Sequence, residues 1–343
     1  MTPETYEGAG VSLSEGEEAV RRIKDKVRRT FRPEVIGDIG GFGGLFAFPK
    51  DRYKDPVLVS STDGVGTKAM VARATGRFTT IGIDLVAMVV DDIAAQGAEP
   101  LFLLDYIAVG KLDADHVDQL VEGVAEGCLK AGCALIGGEM AEHPGAMAPG
   151  DFDIVGFAVG VAERDRLVTG SAVAPGDHLI GLLSPGLRSN GYSLARRVLL
   201  DVGGRDLDAP AWKGSHHSLA DELLRPSVIY APAVVELCRT LAVHGIAHIT
   251  GGGIPGNLAR VLPEGCDAVV RRDAWEQPEI FREIQNQGDV SDDEMARVFN
   301  LGVGMIVAVG EDDVFVAHDV LRSHGVDSVE IGEVVAGSGN VVL

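Results

Sequence analysis

Positive charge is scarce in this chain. Only 30 Lys and Arg stand against 51 Asp and Glu among 343 residues, a formal net charge of −21. A nucleic-acid backbone demands a basic stripe, so nucleic acid is excluded as a partner. Long apolar runs are missing too: none approaches the ~18 residues of a membrane-spanning helix, and no membrane partner is expected. Residues 1–8 (MTPETYEG) carry neither a basic segment nor an apolar one. They do not read as a secretory leader, and a cytoplasmic location is expected. Cysteine is held to four positions. Cys128 and Cys133 lack a zinc spacing while Cys238 and Cys266 stand alone, which leaves buried free thiols. Three signatures are also absent. Without G-x-x-x-x-G-K-[ST], H-E-x-x-H or G-x-S-x-G, the chain is no P-loop enzyme, zincin or α/β-hydrolase.

What is present is glycine, 45 residues of it, in a chain that is 46% hydrophobic and free of low-complexity tracts. The glycines therefore punctuate a folded core. Three stretches set a carboxylate beside glycine where an apolar run stops: residues 58–68 (LVSSTDGVGTK), 89–100 (VVDDIAAQGAEP) and 135–145 (LIGGEMAEHPG). Such a carboxylate is costly to bury unless a cation meets it, and a neighbouring glycine lets a ligand come close. The pattern points to a divalent metal holding phosphates.

Periodicity predicts a helix opened by a Ser14/Glu17 capping box and running to about Phe31, then five glycines within residues 37–44. Strands are expected at 56–61, 101–109, 134–137 and 153–163, with helices at 80–96 and 113–131. Gly170, Pro175 and Gly176 break the pattern, so residues 1–168 and 169–343 are expected as two domains. The second half alternates strands with helices, one of them at 227–243. Neither half keeps a strict βαβ rhythm, which predicts an α+β fold of two mixed domains.

Candidate site residues follow from this layout. Asp84 and Asp91 fall on nearly one helical face, with Asp92 about 100° away. Asp84 reads as a capping or ion-paired group, with Arg73 and Arg77 as partners. Asp63, Asp91, Asp92 and Glu139 read as metal ligands, and an oxygen-only set implies Mg²⁺. The loop with Gly40, Gly41, Gly43 and Gly44 reads as a flap whose N–H groups cover phosphates, with Lys24 and Lys68 as neutralising cations. Ser189, Asn190 and Gly191 open a helix whose free N–H groups suit a phosphate. His248, Thr250, Gly251 and Gly252 repeat that strand–glycine–helix logic, with Asn257 on the helix that follows. His248, between apolar residues beside a glycine turn, is a candidate catalytic residue together with Asp92.

These segments, with TYEGAGV, RPEVIGDIGGFGGLF, IGIDLVAMVVDDI, QGAEPLFLLDYIAVGKL, EGCLKAGCALIGGE, RSNGYSL, AHITGGG, NLARVLP and EMARVFNLGVGM, run from residue 5 almost to the end. In them the chain closely resembles the phosphoribosylformylglycinamidine cyclo-ligase (aminoimidazole ribonucleotide synthetase) family of purine biosynthesis. The resemblance implies ATP-dependent closure of formylglycinamidine ribonucleotide through an iminophosphate. It also implies a homodimer whose N-terminal sheets join into a barrel. ATP and Mg²⁺ would lie near Asp63, Asp92 and Glu139, and the ribonucleotide near Asn190 and His248. The chain departs from the family's usual pattern at Asp91, Arg188, Met140, His143 and residues 254–256. Two alternatives are a superfamily enzyme of thiamine-phosphate kinase type and a non-catalytic nucleotide-binding regulator. A selenophosphate synthetase is disfavoured because no cysteine precedes Cys128.

Overall fold

The computed structural model describes residues 5–343. Residues 1–4, which belong to the expected N-terminal domain and to the stretch read as no leader, lie outside the described residues. Helix α1 (Leu13–Arg29) opens earlier than the sequence pattern suggests. Ser12 and Ser14 each begin an S-x-x-E run, and Ser12 is the cap, accepting the Glu15 N–H at 3.3 Å. A tertiary contact selects it: the Glu142 carboxylate accepts the Ser12 N–H at 2.7 Å.

The first half continues through a short hairpin, β1 (Val35–Ile36) and β2 (Leu45–Phe46), then β3 (Pro56–Gly64), α2 (Lys68–Thr75), α3 (Thr79–Ala94) and β4 (Glu99–Val109). It closes with α4 (Ala114–Ala131), β5 (Ala134–Glu142) and β6 (Phe152–Glu163). The sheet order is β3-β6-β4-β5, with β4 and β5 parallel and the other pairs antiparallel. Apolar around most of its circumference, α3 lies between this sheet, α4 and the second half. The two helices approach so closely that a Cβ on Gly123 would stand 1.8 Å from the Thr79 carbonyl oxygen, so only glycine fits. The opposite sheet face stays open, with Leu58 63%, Phe157 41% and Tyr106 39% exposed.

The second half forms β7 (His178–Leu183), α5 (Tyr192–Arg196), α6 (Leu219–Leu223), α7 (Ala231–Thr240), β8 (Gly245–His248), α8 (Gly253–Leu258) and β9 (Cys266–Val270). It ends with α9 (Glu279–Gly288), α10 (Asp292–Val298), β10 (Val303–Val309), α11 (Val314–Ser323), β11 (Ser328–Ala336) and β12 (Val341–Val342). Its sheet runs β12-β9-β11-β7-β10-β8. The architecture is α+β with two sheets, as expected, and the loop between β6 and β7 spans the predicted break. Helix α7 starts at Ala231 rather than at residue 227. The reason is electrostatic: Ser227, Tyr230 and Ala231 turn their N–H groups to Asp84 and Asp91 on α3 at 2.8–2.9 Å. One large apolar core includes residues of both halves, among them Leu85, Val89, Leu187 and Val234.

Candidate active site

Asp91 and Asp92 are adjacent on α3, yet their surroundings are opposite. Asp91 is sealed, its side chain 0% exposed, and Arg188 donates to its Oδ2 at 2.7 Å. Its Oδ1 accepts the Tyr230 and Ala231 N–H groups. Asp91 is therefore not a metal ligand: a guanidinium and two backbone amides already satisfy its charge. Burial opposes the charge on Arg188, but Tyr230 and Asp91 beside it outweigh burial and hold its pKa above the ordinary value. Arg188 has φ +62°, a costly conformation for a residue with a Cβ. Its side chain reaches between the two halves, with its guanidinium 4.7 Å over the Tyr230 ring.

Asp92 points the other way and keeps 44% of its side chain exposed. It accepts from Ser61 Oγ at 2.9 Å and from His248 Nδ1 at 2.8 Å. Burial works against its charge, but hydrogen bonds from His248 and Ser61, with Arg260 near by, hold the carboxyl below its usual range. His248 Nε2 lies 3.2 Å from the Arg188 guanidinium. A guanidinium only donates, so Nε2 is the acceptor and Nδ1 carries the proton given to Asp92. Both ring nitrogens are thus engaged and the ring is nearly sealed. His248 was expected as a catalytic residue together with Asp92; here its Nδ1 orients the Asp92 carboxylate. Asp63, at the end of β3, faces the same region. Burial, together with the Asp92 charge, raises its carboxyl pKa against the Gly64 N–H that lowers it.

Loops of the second half complete this region. The Asn190 side-chain oxygen accepts the Gly251 N–H at 3.0 Å, which ties residues 189–191 to the glycine turn. Thr67 and Ser193 hydroxyls meet across the halves at 3.0 Å. Asn257 is buried with its amide donated to Gly253 O at 2.8 Å, so it braces the turn and does not face a ligand, contrary to expectation. Lys68 is also corrected. It is 0% exposed, pairs with Asp84 at 2.5 Å and donates to the Arg188 and Arg225 carbonyls, so it cannot serve a phosphate. Asp84 is ion-paired as expected, but with Lys68; Arg73 and Arg77 instead pair with Asp151 and Asp221.

The glycine loop and Glu139 lie elsewhere. They line a cavity of about 910 Å³ between α1, β4 and β5. Lys24 stands beside it, paired with Asp38 at 3.1 Å. Across the sheet Asp63 aligns with Gly156, Asp105 and Gly138. Three strand spacings therefore part the Asp63 and Glu139 backbones, about 14 Å. Within one chain Asp63 and Asp92 come together and Glu139 does not join them. Among the described residues no three acidic, His or Cys side chains form one metal-binding group. No helix there is long and apolar enough to cross a membrane.

Residues 51–162 match the model described as AIR synthase related protein, N-terminal domain, and residues 174–343 the corresponding C-terminal domain. A phosphoribosylformylglycinamidine cyclo-ligase of Myxococcus xanthus is 53% identical over 335 residues, 98% of this chain and 97% of that one. This chain belongs to the phosphoribosylformylglycinamidine cyclo-ligase family. A relative of the same name from Geobacter metallireducens is 54% identical over 310 residues, covering 90% and 89% of the two chains. Among solved structures, thiamine-monophosphate kinase from Stenotrophomonas maltophilia superposes with TM-score 0.70 at 19% identity, over 94% of this chain and 95% of that one. Hydrogenase maturation protein HypE in complex with ATP gives 0.64 at 19% identity, over 97% and 91%. These two show a shared fold.

Sequence reasoning passed over Ser61, the Arg188 bridge and Asp105. Asp105 had a visible signal, since it is a lone carboxylate inside the apolar run FLLDYIAV.

Proposed function

We propose that the chain catalyses ATP-dependent closure of formylglycinamidine ribonucleotide to aminoimidazole ribonucleotide, with release of ADP and phosphate. The observation that carries this reading is 53% identity to a cyclo-ligase over 98% of the chain. The open region between the two halves supports it. An amide oxygen is a poor leaving group; phosphorylation converts it to an iminophosphate, and the ribosyl-bearing amidine nitrogen then closes the ring as phosphate departs. Such transfer rests on positioning and charge neutralisation. Asp92, fixed by His248 and Ser61, and Asp63 beside it present oxygens to the reacting groups. Residues 189–191 and 250–252 offer N–H and hydroxyl donors to the ribonucleotide.

Asp63 and Asp92, near enough for the charge of one to raise the pKa of the other, make a donor set suited to a hard divalent cation. Asp63 and Asp92 would hold Mg²⁺, which supplies charge neutralisation at the transferred phosphoryl group. Glu139 enters this reading through a second copy. It lies on β5 and Asp63 on β3, the two edges of the sheet, so only joining two sheets brings the edges together. The open face carrying Leu58, Phe157 and Tyr106 supplies the apolar surface for that homodimer. The two domains, residues 1–168 and 169–343, then frame the site, and the enzyme works in the cytoplasm.

The test is incubation with formylglycinamidine ribonucleotide and Mg-ATP, with detection of the aminoimidazole product. Absence of product from folded protein would overturn the reading. Mg-ATP binding to Asp92→Asn, followed by calorimetry, should weaken at least ~10-fold, the loss of a charge-assisted contact. Undiminished binding removes Asp92 from the metal site.

A further inference from the structure

Arg188 does more than neutralise Asp91. It immediately precedes residues 189–191, the loop proposed to receive the ribonucleotide. Helix α3 holds it through both side chain and backbone. The Asp91 carboxylate accepts from its Nη2 at 2.7 Å. Its own carbonyl accepts from Lys68 Nζ at 3.0 Å, and Lys68 pairs with Asp84, also on α3, at 2.5 Å. Nη1 donates to the Val228 carbonyl at 2.8 Å, and Nη2 lies 3.2 Å from His248 Nε2. His248 carries this contact on to Asp92 through Nδ1 at 2.8 Å.

Neutralising Asp91 accounts for one of these contacts only. It requires neither the bond to His248 nor a backbone at φ +62°. A strained residue persists where its surroundings over-determine it, and such residues cluster at functional sites. One side chain thus fixes a loop of the second half against the helix that presents Asp92 and against the histidine that orients it. The other polar ties of this segment to the first half are slighter. The Asn190 amide meets the Met88 sulfur, a weak acceptor, at 3.7 Å, and the Ser193 and Thr67 hydroxyls meet at an exposed site.

We propose that Arg188 is a positioning residue, which sets the register of the 189–191 loop against Asp92 so that ring closure outruns hydrolysis of the iminophosphate. The proposal rests on the cyclo-ligase reading. In ring closure the ribosyl-bearing amidine nitrogen bonds to the formyl carbon, the carbon–oxygen bond breaks, and phosphate leaves with the electron pair as one proton is released. With the loop out of register, water takes the place of that nitrogen. Amide and phosphate are then returned, and ATP is consumed without a ring being made.

The experiment compares wild type with Arg188→Lys and with the double variant Asp91→Asn/Arg188→Met, counting aminoimidazole product and ADP in the same reaction. Lysine keeps a cation for Asp91 and the double variant removes the charge, so neither leaves a lone buried carboxylate. Neither restores the planar donor array that spans Asp91, Val228 and His248. Wild type should form product equal to ADP. Each variant should lose roughly 10²-fold in kcat for product, the cost of displacing reacting groups by about 1 Å, with KM for both substrates within about 3-fold. ADP formation should fall less, so that ADP exceeds product. A merely structural role lowers both rates together through the folded fraction and leaves product equal to ADP. That result overturns the proposal, as does a KM that rises while kcat holds. If one variant does not fold, the other carries the test; failure of both to fold assigns Arg188 to stability alone and overturns the proposal as well. If folded wild type makes no product, the cyclo-ligase reading itself fails, and the inference falls with it.

Discussion

Replacing Arg188 with methionine removes one side of a buried ion pair and leaves the other in place. The guanidinium is 1% exposed, the Asp91 carboxylate 0%, and they meet at 2.7 Å. Without Arg188, Asp91 keeps two backbone N–H bonds on Oδ1 but has nothing on Oδ2. The Val228 carbonyl also loses its donor, bonded at 2.8 Å. An uncompensated buried charge costs about 3–5 kcal/mol. At roughly 2–4 °C per kcal/mol for a unit of domain size, Tm should fall by roughly 6–20 °C. Methionine approximates the lost volume, so little of this comes from a cavity. The decisive comparison is the double variant Asp91→Asn/Arg188→Met. The amide oxygen introduced by Asp91→Asn can still accept from Tyr230 and Ala231 while no charge remains, so the double variant should recover at least half of the loss. Thermal melting by circular dichroism of wild type, both singles and the double measures this coupling. The reasoning fails if Arg188→Met melts within about 2 °C of wild type, below the shift expected for 1 kcal/mol. It also fails if the double variant is no more stable than the weaker single.

Other substitutions test other parts of the structure. A Cβ on Gly44 would stand 2.6 Å from the Ile136 carbonyl oxygen, whereas one on Gly43 meets nothing within 4 Å. Gly44→Ala should therefore push the loop off β5 and weaken ATP binding roughly 10-fold in calorimetry, with Gly43→Ala near wild type. Asp105 titrates at about 7 when folded, against about 3.9 for an unfolded Asp. The folded state binds this proton more tightly, so its stabilisation is full below about pH 4 and is lost as pH rises through 7. The Tm advantage of Asp105→Asn should grow between pH 5 and about 8; a pH-independent difference would contradict it. Phe157→Glu places a charge on the open sheet face and should convert a dimer to monomer in sedimentation. A dimer that survives it would move the interface elsewhere.

Much of the fold was legible because local chemistry fixes it. The helix expected at 113–131 forms as α4, and Asp113 caps it, accepting the Asp115 and His116 N–H groups. The largely apolar circumference of α3 announced a buried helix. Helix α1 was visible as well, but two equivalent S-x-x-E runs compete for its cap. The contact from Glu142, 130 residues away, decides between them. The start of α7 was misjudged for the same kind of reason. Residues 227–230 were read as its first turn, but carboxylates on α3 hold the Ser227, Tyr230 and Ala231 N–H groups.

The sequence by itself determined the order of most elements, the family and the acidic and glycine-rich segments proposed above to handle phosphate. Tertiary structure alone decided which acid does what. Asp91 and Asp92 are neighbours in the chain and identical in chemistry, separated by one step of about 100° around a helix. That step turns one into the second half, where Arg188, 97 residues away, neutralises it. The other faces open space, oriented by His248 from 156 residues away. Lys68, in the same way, reads as a free cation until the folded chain closes Asp84 and two carbonyls around it. A residue's charge is written locally, but its partner is supplied by long-range packing, and the partner settles whether that charge is spent inside the protein or left for a ligand.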